Sequence, residues 1–430
     1  MTTPILDLQA IEAELRPLLL AGRGREVEMR VRPMLTNGTG PVALWAMLAQ
    51  ALRVQGRVQE ARPIQEMLVE ALPGHVSTRF DLSETLLLLG EFNRGWREYS
   101  HRYSLAHTTR IERKVQRPRW DGRAIPGQTL LIHDEQGYGD TFQFIRMVAW
   151  AKARSQATVV LEINHETAPL ARRMPGFDGL TLRGEIPPRF DVHCEMMSLP
   201  HAMGLTLDDL PGSPMPYLSV LPERRALWRD RLASYRGLKV AFLWAGRPTH
   251  FNDANRSMTL AQLQPLAQDG VTFFSIQKGP TEGQALTPPA GMNVVSLSPQ
   301  INDFEDTAAI LCEVDLLISI DSSPVHLAGG LGCPAWVMLP LLPDWRWLQH
   351  RTDSPWYPSV RLFRQREWGR WDQVVDDVAN ALAQEAARHR SDARDTPSPP
   401  TGQIAQLRVR RSGRSGMTSS PDRSAQRPPP

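Results

Sequence analysis

Short apolar runs alternate with polar, amphipathic stretches along most of the chain after about residue 125. The runs at 130–132, 158–163, 238–246, 271–278 and 316–320 have the length and apolar content of buried strands. Further predicted elements are a short strand at 190–193 and helices at 168–173, 223–235, 303–312 and 371–387. Because strands that alternate with helices form parallel sheets, the pattern predicts two consecutive α/β units, which end near residues 222 and 390.

The first 110 residues contain an internal repeat. Gly22, Gly56 and Gly90 are spaced by 34 residues, and each has a leucine four positions before it. A glycine can end one helix and let the chain reverse into the next, so the repeat predicts helix pairs. The period and the small-residue turn resemble those of tetratricopeptide repeats. That resemblance implies a groove for a peptide or another subunit; the alternative is a helical cap that stabilises the next domain.

Charge is concentrated in the C-terminal tail. The whole chain has a formal net charge of +3, and residues 391–430 carry seven arginines and three aspartates. The rest of the chain is therefore close to neutral and gives no reason to expect binding to nucleic acid. The tail is rich in Pro, Ser, Arg and Gly and has few large apolar residues, so we predict that 391–430 is disordered.

The cysteines and apolar runs bear on the cellular compartment. Cys194, Cys312 and Cys333 are far apart and lack a paired spacing. This argues against a disulfide framework or a zinc site and favours a reducing, cytoplasmic compartment. The N-terminal residues do not have the pattern of a signal peptide, and no apolar run reaches about 18 residues, so no membrane-spanning segment is predicted.

A strand, a tight turn and a helix are predicted around residues 316–330. The strand ends at Asp321, two serines follow, and Pro324 stands where the first residue of a helix belongs. Amides at the start of a helix lack intrahelical partners, so Ser322, Ser323 and His326 could surround an anion such as phosphate. An ordinary serine-capped helix that binds nothing is the alternative.

A second turn follows the first predicted strand. Gly137 and Gly139 allow a sharp turn after Gln136, and Asp140 opens a helix. Phe142 occupies the third glycine position of the dinucleotide fingerprint, which excludes that motif. The carboxylate of Asp140 is expected to face the crevice where open α/β sheets bind ligands, and a helix N-cap is the alternative role.

Polar residues also follow the strands of the second unit. Trp244 and Gly246 lead from the strand at 238–246 into a polar loop that contains Asn255 and Arg256, and the next strand ends in Lys278. Cations at consecutive strand ends indicate a ligand cleft opposite the serine turn. Solvated surface charges are the alternative interpretation.

Taken together, residues 90–385 resemble the glycosyltransferase family 9 (heptosyltransferase) superfamily, in the branch with tetratricopeptide repeats in front. The motifs are Gly-Trp-Arg-Glu-Tyr at 95–99, Glu-Gln-Gly-Tyr-Gly-Asp at 135–140, Asn-Arg-Ser at 255–257, Asp-Ser-Ser-Pro-Val-His-Leu-Ala at 321–328, Pro-Ala-Trp-Val-Met-Leu-Pro at 334–340, Pro-Asp-Trp-Arg-Trp at 343–347 and Asp-Ser-Pro-Trp-Tyr-Pro at 353–358. The resemblance implies an α/β GT-B fold, in which two Rossmann-like domains face a cleft. The implied domains are a repeat domain at 1–110, an acceptor domain at 111–222, a nucleotide-sugar donor domain at 223–390 and the tail.

The resemblance also implies a reaction. A sugar would pass from a nucleotide-sugar donor to a hydroxyl of a glycan or protein acceptor with inversion, without a metal or another cofactor. Asp140 would be the base, with Asp134 and Glu135 as alternatives. Arg256 would clamp the diphosphate, Lys278 would add charge, and the serine turn with His326 would hold phosphates.

Two points stay open at this stage. The loop that holds Arg256 is longer and more polar than its counterpart in typical heptosyltransferases, so the identity of the donor cannot be transferred from that family. The other hypothesis for the whole chain is an interaction scaffold that binds a protein partner through its repeats and carries an inactive or secondary GT-B domain.

Overall fold

The computed structural model describes residues 7–35, 40–105, 115–210, 215–250 and 252–395, and the described residues up to Arg390 form one compact unit. The α-helices are α1 (Leu8–Leu20), α2 (Gly24–Val31), α3 (Val42–Val54), α4 (Val58–Ala71), α5 (Val76–Leu88), α6 (Phe92–Tyr99), α7 (Tyr138–Phe144), α8 (Val148–Ser155), α9 (Ala168–Ala171), α10 (Leu199–Met203), α11 (Pro222–Leu232), α12 (Asp253–Arg256), α13 (Phe304–Glu313), α14 (Ser323–Leu331) and α15 (Trp371–Asp395). The strands are β1 (Thr129–His133), β2 (Thr158–Ile163), β3 (Gly179–Leu182), β4 (Val192–Glu195), β5 (Leu238–Leu243), β6 (Val271–Ser275), β7 (Val294–Ser296), β8 (Leu316–Ile320), β9 (Ala335–Leu339) and β10 (Val360–Arg364).

Helices α1–α6 form three successive pairs, each joined by a turn at one of the spaced glycines. Gly22, Gly56 and Gly90 have φ angles of 73°, 75° and 82°. At the first turn the amide of Arg23 donates to the carbonyl of Leu18 at 2.8 Å, and equivalent bonds close the other two turns. This is a Schellman motif, which needs a left-handed residue that glycine adopts without a steric penalty. The helix pairs are therefore present as predicted, and their assignment to tetratricopeptide repeats remains a prediction.

Two parallel sheets follow the helical segment. The first has the strand order β3-β2-β1-β4 and the second β7-β6-β5-β8-β9-β10, with parallel pairing throughout. In each sheet the order in which strands are added reverses beside the first strand, between β1 and β4 and between β5 and β8. Open α/β sheets bind ligands at this switch point. Two parallel α/β units behind a helical segment were predicted, and that coarse architecture is confirmed.

The hydrophobic cores do not divide where the helical segment ends. One core is built from α1–α4, whereas the larger core of the sheets includes Val58, Leu87, Phe92 and Trp96. The α5–α6 pair therefore packs as part of the α/β units. The predicted boundary at residue 110 itself lies outside the described residues.

Trp96 shows how this junction is held. Its ring meets the ring of Trp345 at 5.1 Å and that of Phe144 at 6.0 Å, both edge to face. Trp345 follows β9 of the second sheet, and Phe144 ends α7 beside the first. One side chain of α6 thus contacts both α/β units.

The last helix, α15, continues to Asp395. The predicted start of the tail at residue 391 therefore falls within a helix, and the rest of the tail lies outside the described residues. Among the helices of the described ranges, none is both long and apolar enough to cross a membrane.

Two of the cysteines lie close together, which their sequence positions did not indicate. The sulfur atoms of Cys312 and Cys333 are 3.8 Å apart, because α13, which leads into β8, contacts α14, which leads into β9.

Trp96→Ala is expected to lower the free energy of unfolding by about 3–5 kcal/mol, the range for removing a fully buried aromatic side chain. Trp96 is 1% exposed. The matched control is Trp150→Ala, because Trp150 is 40% exposed and surface changes usually stay within about 0.5 kcal/mol. Chemical denaturation followed by circular dichroism measures both. Equal losses in the two variants would contradict the shared core.

Candidate active site

A cleft of about 990 Å³ lies where the carboxyl ends of strands from both sheets face one another. Its walls come from the segments that follow β1 in the first sheet and β5, β6, β8 and β9 in the second. Parallel strands deliver their following loops to the same edge, so residues distant in sequence converge there.

All but one of the predicted site residues line this cleft. Those residues are Gln136, Gly137, Gly139, Asp140, Gly246, Asn255, Arg256, Lys278, Asp321, Ser322, Ser323 and His326. Trp244 is the exception: it is fully buried beside Phe242 and is not part of the lining. Its prediction as a cleft residue is wrong, because its side chain lies on the same face of the chain as that of Phe242 and packs in the core.

Asp140 lies in the first turn of α7, and its carboxylate is fixed at both oxygens. The amide of Gly137 donates to Oδ2 at 2.7 Å, and Arg346 donates to Oδ1. The side chain keeps 20% exposure towards the cleft. The capping role and the position in the crevice, which the sequence posed as alternatives, thus occur together.

The start of α7 packs closely on the start of α14. A Cβ atom at Gly139 would lie 2.8 Å from Cδ2 of His326 and 3.4 Å from Cα of Ser323. A real side chain cannot approach that closely without a shift, so glycine at this position sets the distance between Asp140 and the serine turn.

Arg346 joins the two α/β units inside the cleft, and the sequence analysis gave it no role. It lies in the short turn after β9, and its side chain is 8% exposed. Nη1 donates to Oδ1 of Asp344 at 2.8 Å and Nε donates to Oε1 of Gln143 at 2.8 Å, in addition to the bond to Asp140. Its motif was visible in sequence, but its partners on α7 were not.

Burial shapes the ionisation of the cleft carboxylates. It raises the pKa of Asp140, and the Arg346 guanidinium partly offsets this effect. It also raises the pKa of Asp321 to about 6, with a further contribution from the negative charge of Asp344. The pKa of Asp344 is lowered instead, because its contacts with Arg346 outweigh its burial.

His326 is a neutral group in this site. Burial and the nearby charge of Arg346 lower its pKa to about 3. Its Nδ1 lies 2.9 Å from the hydroxyl of Tyr357, and its ring stacks on Trp347 at 5.3 Å. At neutral pH His326 can therefore offer a hydrogen bond to a ligand but no positive charge.

Two predicted cations lie on the second sheet's side of the cleft. Nη1 of Arg256 donates to the main-chain carbonyl of Asp321 at 3.1 Å, and its Nε lies 3.3 Å from Oδ1 of Asp253. A Cβ atom at Gly246 would lie 2.6 Å from Nη2 of Arg256, so this glycine leaves room for the guanidinium. Lys278 is exposed, and its Nζ donates to the carbonyl of Ser298 at 2.6 Å.

The serine turn caps α14 at the same end of the cleft. Ser322 is the residue before the helix, and its hydroxyl lies 3.0 Å from that of Ser319. Helix α14 has nine residues. Pro324 has no amide hydrogen, and the amide of Val325 donates to the carbonyl of Ser322 at 3.0 Å, so the amides at this helix start that could bind a ligand are those of Ser322 and Ser323. The helix dipole adds positive potential at this end.

The two alternative bases have structural partners. Oε1 of Glu135 accepts a hydrogen bond from Arg102 at 2.8 Å, and Tyr103 contacts the same carboxylate. Asp134 pairs with Arg183 at 2.7 Å. Both carboxylates are less than 5% exposed, and neither lines the cleft, so the geometry favours Asp140 as the accessible carboxylate of the three.

Gln277 is a further residue that the sequence analysis missed. It is buried, and its Oε1 accepts from the amides of Trp244 and Ala245 at 3.1 and 3.0 Å. It thereby fixes the chain where β5 turns into the polar loop of Arg256. A glutamine beside a strand end carries no local signal for such a contact.

The helical segment also contributes to the cleft wall. Leu20, Val54 and Leu88 line it, and they occupy the same position in successive 34-residue repeats. Gln50 and Glu84 form a second such pair. The ends of α1, α3 and α5 therefore contribute a row of equivalent repeat positions to the cleft lining.

A group of potential metal ligands lies elsewhere, on β1 and β4. Ligand atoms of His133, His193 and Glu195 lie within 4.8 Å of one another. Nε2 of His133 is 3.1 Å from Nδ1 of His193, and Arg119 donates to Glu195 at 2.8 Å. These contacts form a buried polar network apart from the cleft lining.

Comparison with known proteins gives limited matches. No family model matches the chain. The chain is 28% identical to Protein FlbA of Caulobacter vibrioides over 333 residues, which are 72% of this chain and 55% of FlbA. It thus spans about half the length of this curated relative.

Glycosyltransferases are among the solved structures to which the chain shows similarity. A glycosyl transferase family 9 protein from Veillonella parvula has 10% identity and a TM-score of 0.45, covering 62% of this chain and 99% of that one. The E. coli ADP-heptose heptosyltransferase II has 14% identity and a TM-score of 0.41, covering 60% and 99%. A point mutant of the Thermobaculum terrenum O-GlcNAc transferase has 13% identity and a TM-score of 0.30, covering 92% and 94%. Similarity at this level does not decide the function of the chain.

Asp321→Asn is expected to stabilise the protein strongly at pH 8 and only slightly at pH 4. The folded state raises the pKa of Asp321 from 3.8 to about 6, so the penalty for ionising this carboxyl begins near pH 4, grows between pH 4 and pH 6 and is complete above pH 6. The gain at pH 8 is at most about 3 kcal/mol. Urea denaturation at the two pH values measures it.

Asp353→Asn is the control for this experiment. Asp353 is 67% exposed on its side chain, and a hydrogen bond from Arg351 lowers its pKa. Its replacement should slightly reduce stability at pH 8, the opposite sign. An equal effect of Asp321→Asn at pH 4 and pH 8 would contradict the assigned ionisation.

Proposed function

We propose that the protein is a glycosyltransferase of the GT-B type, which moves a sugar from a nucleotide-sugar donor to a hydroxyl acceptor. The observation that carries this proposal is the convergence of Asp140, Arg256 and the start of α14 on one cleft between two parallel sheets. A carboxylate and a cationic helix start on opposite walls supply what such a transfer needs, a base and a site for a leaving diphosphate.

The donor would lie against the second sheet. Its diphosphate would contact the guanidinium of Arg256, the amides at Ser322 and Ser323 and the ammonium of Lys278, all of which line the same wall. A guanidinium binds phosphate oxygens through two parallel hydrogen bonds, and a helix start adds unpaired amides. The neutral imidazole of His326 would contribute a hydrogen bond.

Asp140 would act as the base on the opposite wall. It takes the proton of the acceptor hydroxyl as the oxygen attacks the anomeric carbon of the sugar. The bond between that carbon and the phosphate oxygen breaks, and the nucleoside diphosphate leaves with the electron pair. Attack from the face opposite the leaving group inverts the anomeric centre. Arg256, Lys278 and the helix dipole would stabilise the departing charge, so the proposal assigns no role to a metal ion or another cofactor.

The helical segment would contribute to acceptor binding. Leu20, Val54 and Leu88 form a row of apolar repeat positions in the lining of the cleft that holds Asp140. A protein or glycan acceptor could contact this row while its hydroxyl reaches the base. We place the reaction in the cytoplasm, where nucleotide sugars are available.

The scaffold hypothesis remains the alternative. The row of repeat positions would then bind a protein partner, and the cleft would be catalytically silent. The integration of α5–α6 into the sheet core favours the enzyme, because a separate interaction module needs no shared core.

A donor screen tests the proposal. One of UDP-, GDP-, ADP- or dTDP-linked sugars, added without metal, is expected to raise the thermal midpoint of unfolding. A ligand at about 100 times its dissociation constant stabilises the folded state by roughly 2.7 kcal/mol. Arg256→Ala should abolish the shift, whereas Arg351→Ala should retain it, because Arg351 pairs with Asp353 and does not line the cleft. No shift with any donor would favour the scaffold.

Asp140→Asn is expected to reduce transfer by roughly 10²–10⁴-fold, the usual contribution of a general base. Donor binding should persist, because none of the donor contacts proposed above is made by the side chain of Asp140. Product formation with the donor found in the screen, and calorimetry with the same donor, measure the two quantities. Loss of donor binding together with transfer would instead indicate that Asp140 serves only as a helix cap.

A further inference from the structure

The turn after β9 brings an arginine from the second α/β unit to the carboxylate of the first. Arg346 contacts Asp140, Asp344 and Gln143 through three different nitrogen atoms. Its guanidinium also lies 4.1 Å from the ring centre of Trp345. Three hydrogen bonds in the plane of the guanidinium and one ring contact on its face fix the orientation of the group.

The last helix pair supports this turn from behind. The ring of Trp345 contacts the rings of Trp96 at 5.1 Å and Tyr99 at 6.0 Å, both on α6. Trp345 is 4% exposed and Trp96 is 1% exposed, so this contact is inside the core. The position of Arg346 therefore depends on the helical segment as well as on the second sheet.

We infer that Arg346 is a positioning residue for the proposed transfer: it holds the carboxylate of Asp140 in place in the cleft, and α6 holds Arg346. This inference rests on the proposed function for its consequence in catalysis. The pairing of the two side chains is independent of that function.

The groups that face Asp140 come from several elements. They are Arg346 and Asp344 from the turn after β9 and Glu135 from the segment after β1, and His326 of α14 lies beside the neighbouring Gly139. Glu135 is paired with Arg102, and His326 is neutral, which leaves Arg346 as the cation in contact with Asp140. Without it, the buried carboxyl would retain its proton to higher pH and would be a poorer base at neutral pH.

A double-mutant cycle tests the pairing without any ligand. Asp140→Asn, Arg346→Met and the double variant are unfolded in urea at pH 7. The double variant should lose less stability than the two single losses combined, because either change alone leaves a buried group without its partner. Additive losses would overturn the inference. If Arg346→Met does not fold, Arg346→Lys replaces it in the same cycle.

Donor turnover tests the catalytic consequence. With the nucleotide sugar found in the screen, Arg346→Met should lower kcat/KM at pH 7 by at least about tenfold and move the acid limb of the pH profile to higher pH. Donor affinity should stay within about threefold of the native value. Arg346→Lys should recover part of the rate relative to Arg346→Met, because lysine retains the positive charge but not the planar set of three hydrogen-bond donors.

Arg351→Met is the matched control, an arginine of the same loop region whose partner is Asp353 at 2.6 Å. It should leave the rate and the acid limb unchanged. An unaltered acid limb in Arg346→Met, or a loss of donor affinity equal to the loss of rate, would overturn the positioning role. If the native protein turns over no nucleotide sugar, the proposed function fails, and the cycle still decides whether Arg346 holds Asp140.

Discussion

The contact between Asp140 and Arg346 connects the two α/β units at the point where the cleft forms. A charged pair taken out of water loses hydration, and its mutual attraction restores that loss only when the geometry is good and other hydrogen bonds are made. Both conditions hold here. The amide of Gly137 donates a hydrogen bond to the Asp140 carboxylate, and Asp344 and Gln143 accept hydrogen bonds from the Arg346 guanidinium. Such a pair adds little net stability, but its position is well defined.

Close backbone packing also fixes the positions of other groups in the cleft. Gly139 lets α7 approach α14, so the serine turn and Asp140 keep a fixed separation. Gly246 leaves room for the guanidinium of Arg256 on the neighbouring loop. The cleft is therefore shaped by positions where a side chain is missing as much as by the polar groups that line it.

The sequence predicted those features that depend on local pattern. The strand at 316–320 and the turn after it were found because apolar runs and helix-start residues lie next to one another. Four strands were not predicted. Strands β3 and β7 are short and only partly buried, so their apolar pattern is weak. The segment of β9 was noted only as a motif of the resemblance, and β10 was not noted, although both are largely buried. The role of Arg346 could not be read either, since its partner Asp140 is 206 positions away. Trp244 was misplaced because a strand end does not reveal which face its last side chains occupy.

The helical segment contacts the site through a second buried side chain, and it is therefore part of the site's structure and not a separate module. Arg102, which follows α6, forms a buried ion pair with Glu135 at 2.8 Å, and each side chain is 2% exposed. Glu135 lies between β1 and α7, and Asp140 lies in the first turn of α7. The segment from Glu135 to Asp140 is consequently held by the helical segment at one end and by the second sheet at the other. In the proposed transfer, Asp140 would benefit from being fixed before donor or acceptor binds, because binding free energy would not be needed to order the base.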